Sequence, residues 1–207
     1  MNAFEDIKLY LPKYLSQEAE RDLFEELNQF PKNIDHRLYT VSFVNDENIY
    51  QGDGFKDLLF IELPEPEISK SKGMVLSNTC DMQQANKKPV PLKVCYSPII
   101  SLKKYKSFIT KNKLISNKSA INIHIDQIKK QRFSHIFFLP GQGSLKEDCL
   151  IFFDRIISIK REYFESKPIK ELRLFSLSDY GFYLFLFKLS IHFCRIREGI
   201  ERGKGRI

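Results

Sequence analysis

The sequence contains no tryptophan and only four cysteines, Cys80, Cys95, Cys149 and Cys194, with no C-x-x-C spacing. Three of the four lie in apolar runs, as buried reduced thiols do, so a disulfide framework is not expected. The four histidines, His36, His124, His135 and His192, do not cluster with the cysteines, which argues against structural zinc. Phosphate-loop spacing is also missing. QGDG at 51–54 does not have it, and GQGSLK at 141–146 lacks both the required glycine spacing and a following helix, so both read as turns and no cofactor is implied. The opening residues MNAFEDIKLY are acidic where a secretory signal would be basic, and a cytoplasmic location is expected. One long apolar run stands out, YGFYLFLFKLSIHFCRI at 180–196. It falls short of the ~20 residues of a membrane span and carries Lys188 and His192, so no membrane partner is expected. It reads as a central helix buried on nearly every face, either by this chain or by a partner subunit, including a second copy.

What is abundant is aromatic: eighteen Phe and nine Tyr in 207 residues, enough for one elaborated domain or a core with a small lobe. The net charge of +7 hides a strong polarity. Residues 1–67 carry fifteen acids and six bases, whereas residues 101–132 carry nine bases and a single acid, Asp126. Such asymmetry points either to a nucleic-acid patch or to two lobes that attract each other.

Along the chain, Ser16 is a natural N-cap and Ala19, Leu23, Leu27 and Phe30 recur at helical spacing until Pro31. Strands are expected at 37–44, 58–63, 72–81, 92–100 and 133–139, and in 143–160, where apolar and polar residues alternate from Asp154. PEPEISKSKG at 64–73 reads as an exposed loop. Helices are expected at 102–111 and 119–132, and from Asp179, as N-cap, to Arg197.

Two segments, KGMVLSNTCD at 72–81 and GSLKEDCLIFFDRIISIK at 143–160, look like matching parts of one small β-barrel. The second, with Leu145, Asp154, Ile156 and Ile159, resembles the closing strands of the MazF/PemK-type toxin family. The first resembles the strand that follows that family's β1–β2 loop. The resemblance covers about 72–100 and 134–162. It implies an SH3-like barrel, often dimeric, that cleaves single-stranded RNA without a metal. Where the family carries Arg-Pro, with the Arg on the scissile phosphate, this chain has Lys72-Gly73; lysine supplies charge without the bidentate fork. The family's hydroxyl after the next strand falls near Ser97. The segments LPKYLS, IYQGDGF, SNTCD and YGFYLFLFKLSIHF are also similar to an uncharacterised bacterial family, which implies no activity.

The candidate catalytic residues are therefore Lys72, Ser77, Asn78, Asp81 and Ser97. For SNTCD two readings stand: a ligand pocket with Asp81 as base or orienter, or Asx-type turns at a strand end. For the basic stretch, Lys103, Lys104, Lys106, Lys111, Lys113, Lys129, Lys130 and Arg132, with Lys118, are candidate phosphate contacts, and Tyr105 and Phe108 candidate base-stacking rings. A solvated helical face is the other reading. The expected architecture is α+β: an N-terminal helical extension at 1–37, an SH3-like barrel at 38–162 with a helical insertion at 101–132, and a C-terminal helical extension at 163–207. The function it suggests is an RNA-directed protein of a bacterial toxin–antitoxin or phage-defence system, cytoplasmic and acting without a metal if catalytic. The alternative is a docking subunit that keeps the barrel as an interaction surface. A small-molecule pocket on SNTCD is a third.

Overall fold

The computed structural model describes residues 37–83, 86, 89–115 and 117–193, with Glu18, Arg21, Asp22, Glu25, Glu26 and residues 29–32. The expected N-terminal helix, with Ser16, Ala19, Leu23 and Leu27, falls largely outside these residues, as do His36 and Cys194. In chain order the elements are β1 (Tyr39–Thr40), β2 (Gly54–Glu62), β3 (Glu67–Val75), α1 (Thr79–Met82), β4 (Lys93–Pro98), β5 (Ile100–Ser101), α2 (Leu102–Lys111) and α3 (Lys118–Lys129). Then follow β6 (Ile136–Leu139), β7 (Cys149–Phe152), β8 (Ile157–Lys160), α4 (Glu162–Glu165), α5 (Ile169–Leu172), β9 (Arg173–Leu177) and α6 (Asp179–Phe193).

The fold is mixed α+β. Strands β1-β9-β2-β3-β4-β8 form a six-stranded sheet and β5-β7-β6 a three-stranded one, with every pairing antiparallel. No closed barrel is detected among the described residues. The two sheets are linked because the chain bends rather than ends: β4 turns through Ile99 into β5, and β7 leads through 153–156 into β8. The segment at 72–81 supplies β3 to the six-stranded sheet, whereas 143–160 supplies β7 to the three-stranded sheet and β8 to the six-stranded one, and Met74 and Leu76 share one core with Cys149, Ile151 and Phe153.

That core is closed by α6. Tyr180, Leu184 and Phe185 are buried in it, and each such side chain contributes roughly 1.5–3 kcal/mol. Gly181 lets the helix lie against β1, since a Cβ there would overlap the Leu38 carbonyl. This chain alone does not bury the helix on nearly every face: Phe187, Ile191 and Phe193 are exposed, because only one side of the helix meets the sheets. Asp179 is the first helical residue rather than the cap; the Ser178 hydroxyl accepts from the Gly181 N–H at 3.1 Å. Residues 194–197 lie outside the described part. Among the described residues, no helix is long and apolar enough to cross a membrane.

A second cluster, with Phe55, Leu58, Tyr96 and Phe164, lies under α4 and α5. A third, with Leu102, Ile128, Phe138 and Phe152, seats α2 and α3 on the small sheet. These two helices match those expected at 102–111 and 119–132, the second ending at Lys129. Other expectations shift. The strand at 37–44 shrinks to Tyr39–Thr40, and residues 42–45 turn. The loop at 64–73 is strand from Glu67, paired with β2 from Glu62 to Phe55. It shows no apolar period because its first half is exposed on both faces. β9, inside the segment read as a helical extension, lies between β1 and β2.

Candidate nucleic-acid interface

Burial along β3 changes at Lys72: residues 67–71 are exposed and Gly73–Val75 are buried. The Lys72 carbonyl accepts the Ile99 N–H at 2.8 Å and Gly73 pairs with Pro98, which fixes β3 against the bend between β4 and β5. On the other side, the β2–β3 register shifts between Phe55 and Leu58, and Asp57 takes a positive φ of 61°. This bulge, which re-aims side chains at a sheet edge, brings Lys56 and Asp57 to the rim of the same hollow.

Across it stands the start of α2. The Ser101 hydroxyl accepts from the Lys104 N–H at 3.4 Å as the N-cap and donates to Glu147 Oε2 at 2.8 Å. The Leu102 N–H reaches the Asp148 carbonyl at 2.9 Å, tying the helix to the 141–148 turn. The result is a cleft of roughly 430 Å³ lined by Lys56, Asp57, Lys72, Ser101, Lys104 and Glu147, among others. Three lysines and two acidic residues therefore line one space, beside the positive end of a ten-residue helix. Cys149 also lines it, but burial pushes its thiol up to about 11 against the opposing pull of Lys72, so it stays protonated.

The structure therefore brings together Lys72 and Lys104, which sequence reasoning had put in separate sets. It does not bring Ser77, Asn78 and Asp81 to them. The Ser77 hydroxyl accepts the Cys95 N–H at 2.8 Å, and Asn78 caps α1 by accepting the Cys80 N–H at 2.9 Å. The Asp81 N–H bonds the Asn78 carbonyl at 3.1 Å. The Thr79 hydroxyl accepts the Gln51 N–H at 3.0 Å, so SNTCD closes onto the IYQGDGF turn. Ser97 is fully buried opposite Met74, and its hydroxyl donates to the Phe152 carbonyl at 2.8 Å, joining the two sheets.

The basic helices are partly neutralised within the chain. Lys129 pairs with Asp148 at 2.6 Å and Lys130 with Asp126 at 2.8 Å, and Lys106 donates to Asn122 Oδ1 at 3.1 Å. Lys103, Lys104, Lys111, Lys113, Lys118 and Arg132 have exposed positions, as does the Phe108 ring.

Sequence reasoning missed Lys56, Asp57 and Glu147; a bulge and a cap acceptor are consequences of pairing and leave no local motif. It also missed a buried ion pair and the burial of a lysine. Arg173 Nε lies 3.3 Å from Asp53 Oδ2, and its guanidinium donates to the carbonyls of Phe43, Asp46 and Asn48. Burial pushes Asp53 up to about 6, with Ser176 and Arg173 pulling it back. This pair pins the 43–50 segment to β9. Lys188 of α6 donates to Gln131 Oε1 at 2.7 Å and to the Gln131 and Ile136 carbonyls, and burial pulls its ammonium down to about 7. Among the described residues, no group of three or more His, Cys, Asp or Glu is placed to hold a metal ion. No family model matches the chain, and no curated protein matches it significantly.

Proposed function

We propose that this is an RNA-directed member of the SH3-like barrel toxin class, with bacterial toxin–antitoxin or phage-defence biology as its setting, and that single-stranded RNA enters the cleft between the two sheets. The observation that carries the reading is the convergence of Lys56, Lys72 and Lys104 with Asp57 and Glu147. The two bends, β4 into β5 and β7 into β8, are what an SH3-like barrel uses to turn strands from one sheet to the other, and they support that finer assignment of the fold.

Lysines gathered in a cleft attract a phosphodiester and release its counterions. If the protein is catalytic, Glu147 or Asp57 takes the 2′-hydroxyl proton as the O2′–P bond forms and the P–O5′ bond breaks. A lysine ammonium then returns a proton to the leaving 5′ oxygen, leaving a 2′,3′-cyclic phosphate. Lys72 keeps the phosphate-contact role expected of it. Ser77, Asn78 and Ser97 act through the backbone they hold.

The test is incubation of labelled single-stranded RNA with purified protein in EDTA, with Lys72→Ala and Glu147→Gln alongside. Binding lost in Lys72→Ala, with cleavage lost in Glu147→Gln while binding remains, is the expected pattern. Wild-type protein that neither binds nor cuts RNA overturns the reading. One observation favours the docking-subunit alternative: Phe187 and Ile191, one turn apart on α6, leave apolar side chains exposed. Size measurement of the same samples reports on it directly.

A further inference from the structure

Away from the cleft, where α2 and α3 meet the small sheet, aromatic and basic side chains from four stretches of chain gather on one surface. The His124 ring lies 4.9 Å from Phe133, which lies 6.1 Å from His135. Tyr105 Oη is 2.8 Å from His124 Nε2, and its ring is 5.8 Å from Phe152. The Arg155 guanidinium sits 4.8 Å over the Phe152 ring, and His135 lies 6.4 Å from it. Phe152 is buried, Tyr105, His124, Phe133 and His135 are half-buried, and Arg155 is exposed.

We propose that this surface is a nucleotide platform, on which Tyr105, His124, Phe133 and His135 stack one base of a single-stranded RNA and Arg155 holds the adjoining phosphate. The proposal rests on RNA being the ligand of the cleft and extends it to a second contact. A hydrophobic rim explains Phe133 and Phe152, but it has no need of two imidazoles and a guanidinium. Half-buried rings are what unpaired bases stack on, and an exposed guanidinium beside them, 4.8 Å over the Phe152 ring, is placed to meet a phosphate oxygen. Burial, with the His135 charge second, lowers His124, which therefore offers an uncharged ring at neutral pH. Lys104 and Tyr105 are consecutive in α2, one lining the cleft and the other the platform. A strand leaving the cleft along α2 meets the rings next.

The test uses full-length protein and two short 2′-O-methyl oligouridylates, which cannot be cleaved, one with its bases and one abasic. Removing one stacked contact by His124→Ala should weaken the base-bearing probe by roughly fivefold to a hundredfold and leave the abasic probe unchanged. Arg155→Ala, at an exposed position, should weaken both, as should Lys72→Ala. In the wild-type protein, ring signals of His124 and His135 should move upfield on titration with uridine monophosphate, a readout that needs no variant to fold. If His124→Ala and Arg155→Ala bind both probes like wild type and the ring signals stay still, the platform falls while the Lys72 dependence keeps the cleft. Equal weakening of both probes by His124→Ala also overturns stacking. If wild type binds neither probe, the RNA reading falls, and the platform with it.

Discussion

On one side of the buried Gly73–Val75 stretch, three lysines and two carboxylates reach a common cleft from β2, β3, α2 and the 141–148 turn. On the other side, beginning about 16 Å along the strand from Lys72 at ~3.3 Å per residue, Ser77, Asn78 and Thr79 each accept a backbone N–H. The second region is the denser in polar residues and the more conspicuous in the sequence. It is the first whose charged groups come together from separate elements. Asn78 serves its own turn, as a cap does, while Ser77 and Thr79 accept from Cys95 and Gln51 in neighbouring segments, so all three side chains are engaged in holding backbone in place. Groups that converge from distant elements have no such local reason to meet.

The sharpest way to break this contrast is charge reversal. Replacing Lys56, Lys72 and Lys104 together by Glu should lower RNA affinity at least about a hundredfold, because three attractions to phosphate become repulsions. Removing Lys72 alone should also reduce the slope of log affinity against log salt by roughly 0.7, the single-strand value per phosphate contact. An equal loss of RNA affinity from Asn78→Ala and Asp81→Ala would reverse the comparison.

Lys188 extends the contrast to a charge whose partners are carbonyl and amide oxygens. Its ammonium is pulled down to about 7, so the folded chain releases that proton before the unfolded chain does. Stability should therefore rise with pH from about 7 towards 10, by at most ~1.4 kcal/mol per unit for this one group. Below about pH 7 both states hold the proton, and its contribution is flat. Denaturant melts across that range, with Lys188→Met as the comparison, report it: the variant should lose this rise. A wild-type curve equally flat would mean that the three oxygens keep the lysine charged.

The smallest effect belongs to the capped end. Asn78→Ala removes the α1 cap and should cost about 1 kcal/mol in stability, read from a denaturant midpoint, with RNA affinity unchanged.

Much of the fold was legible because its signals are local. The apolar spacing of Ile121, Ile125 and Ile128 marked α3, and the alternation in ISIK marked β8. The first half of β3 was not legible, since a strand exposed on both faces has no apolar period and is held by pairing with β2. RLFSL of β9 is five residues long, and only its place between β1 and β2 makes it a strand. For the site, Lys72 and Lys104 were legible as lysines in plausible settings, whereas their meeting depends on the β4–β5 bend. Asp57 and Glu147 had no signal at all, because a bulge and a cap acceptor exist only once partners are in place. Ser97 drew attention as a hydroxyl, and burial turned it into a link between sheets.

That bend has a further consequence. Pro98 faces Gly73, Ile99 donates to the Lys72 carbonyl, and Ser101 two residues on starts α2, so the spacing between the backbones of Lys72 and Lys104 is set by a few consecutive peptide units. The two cations are held apart like marks on a ruler, and no loop must close to bring them into register. A ligand spanning them meets a frame that is already assembled, and on the protein's side the ordering entropy left to lose is that of the lysine side chains.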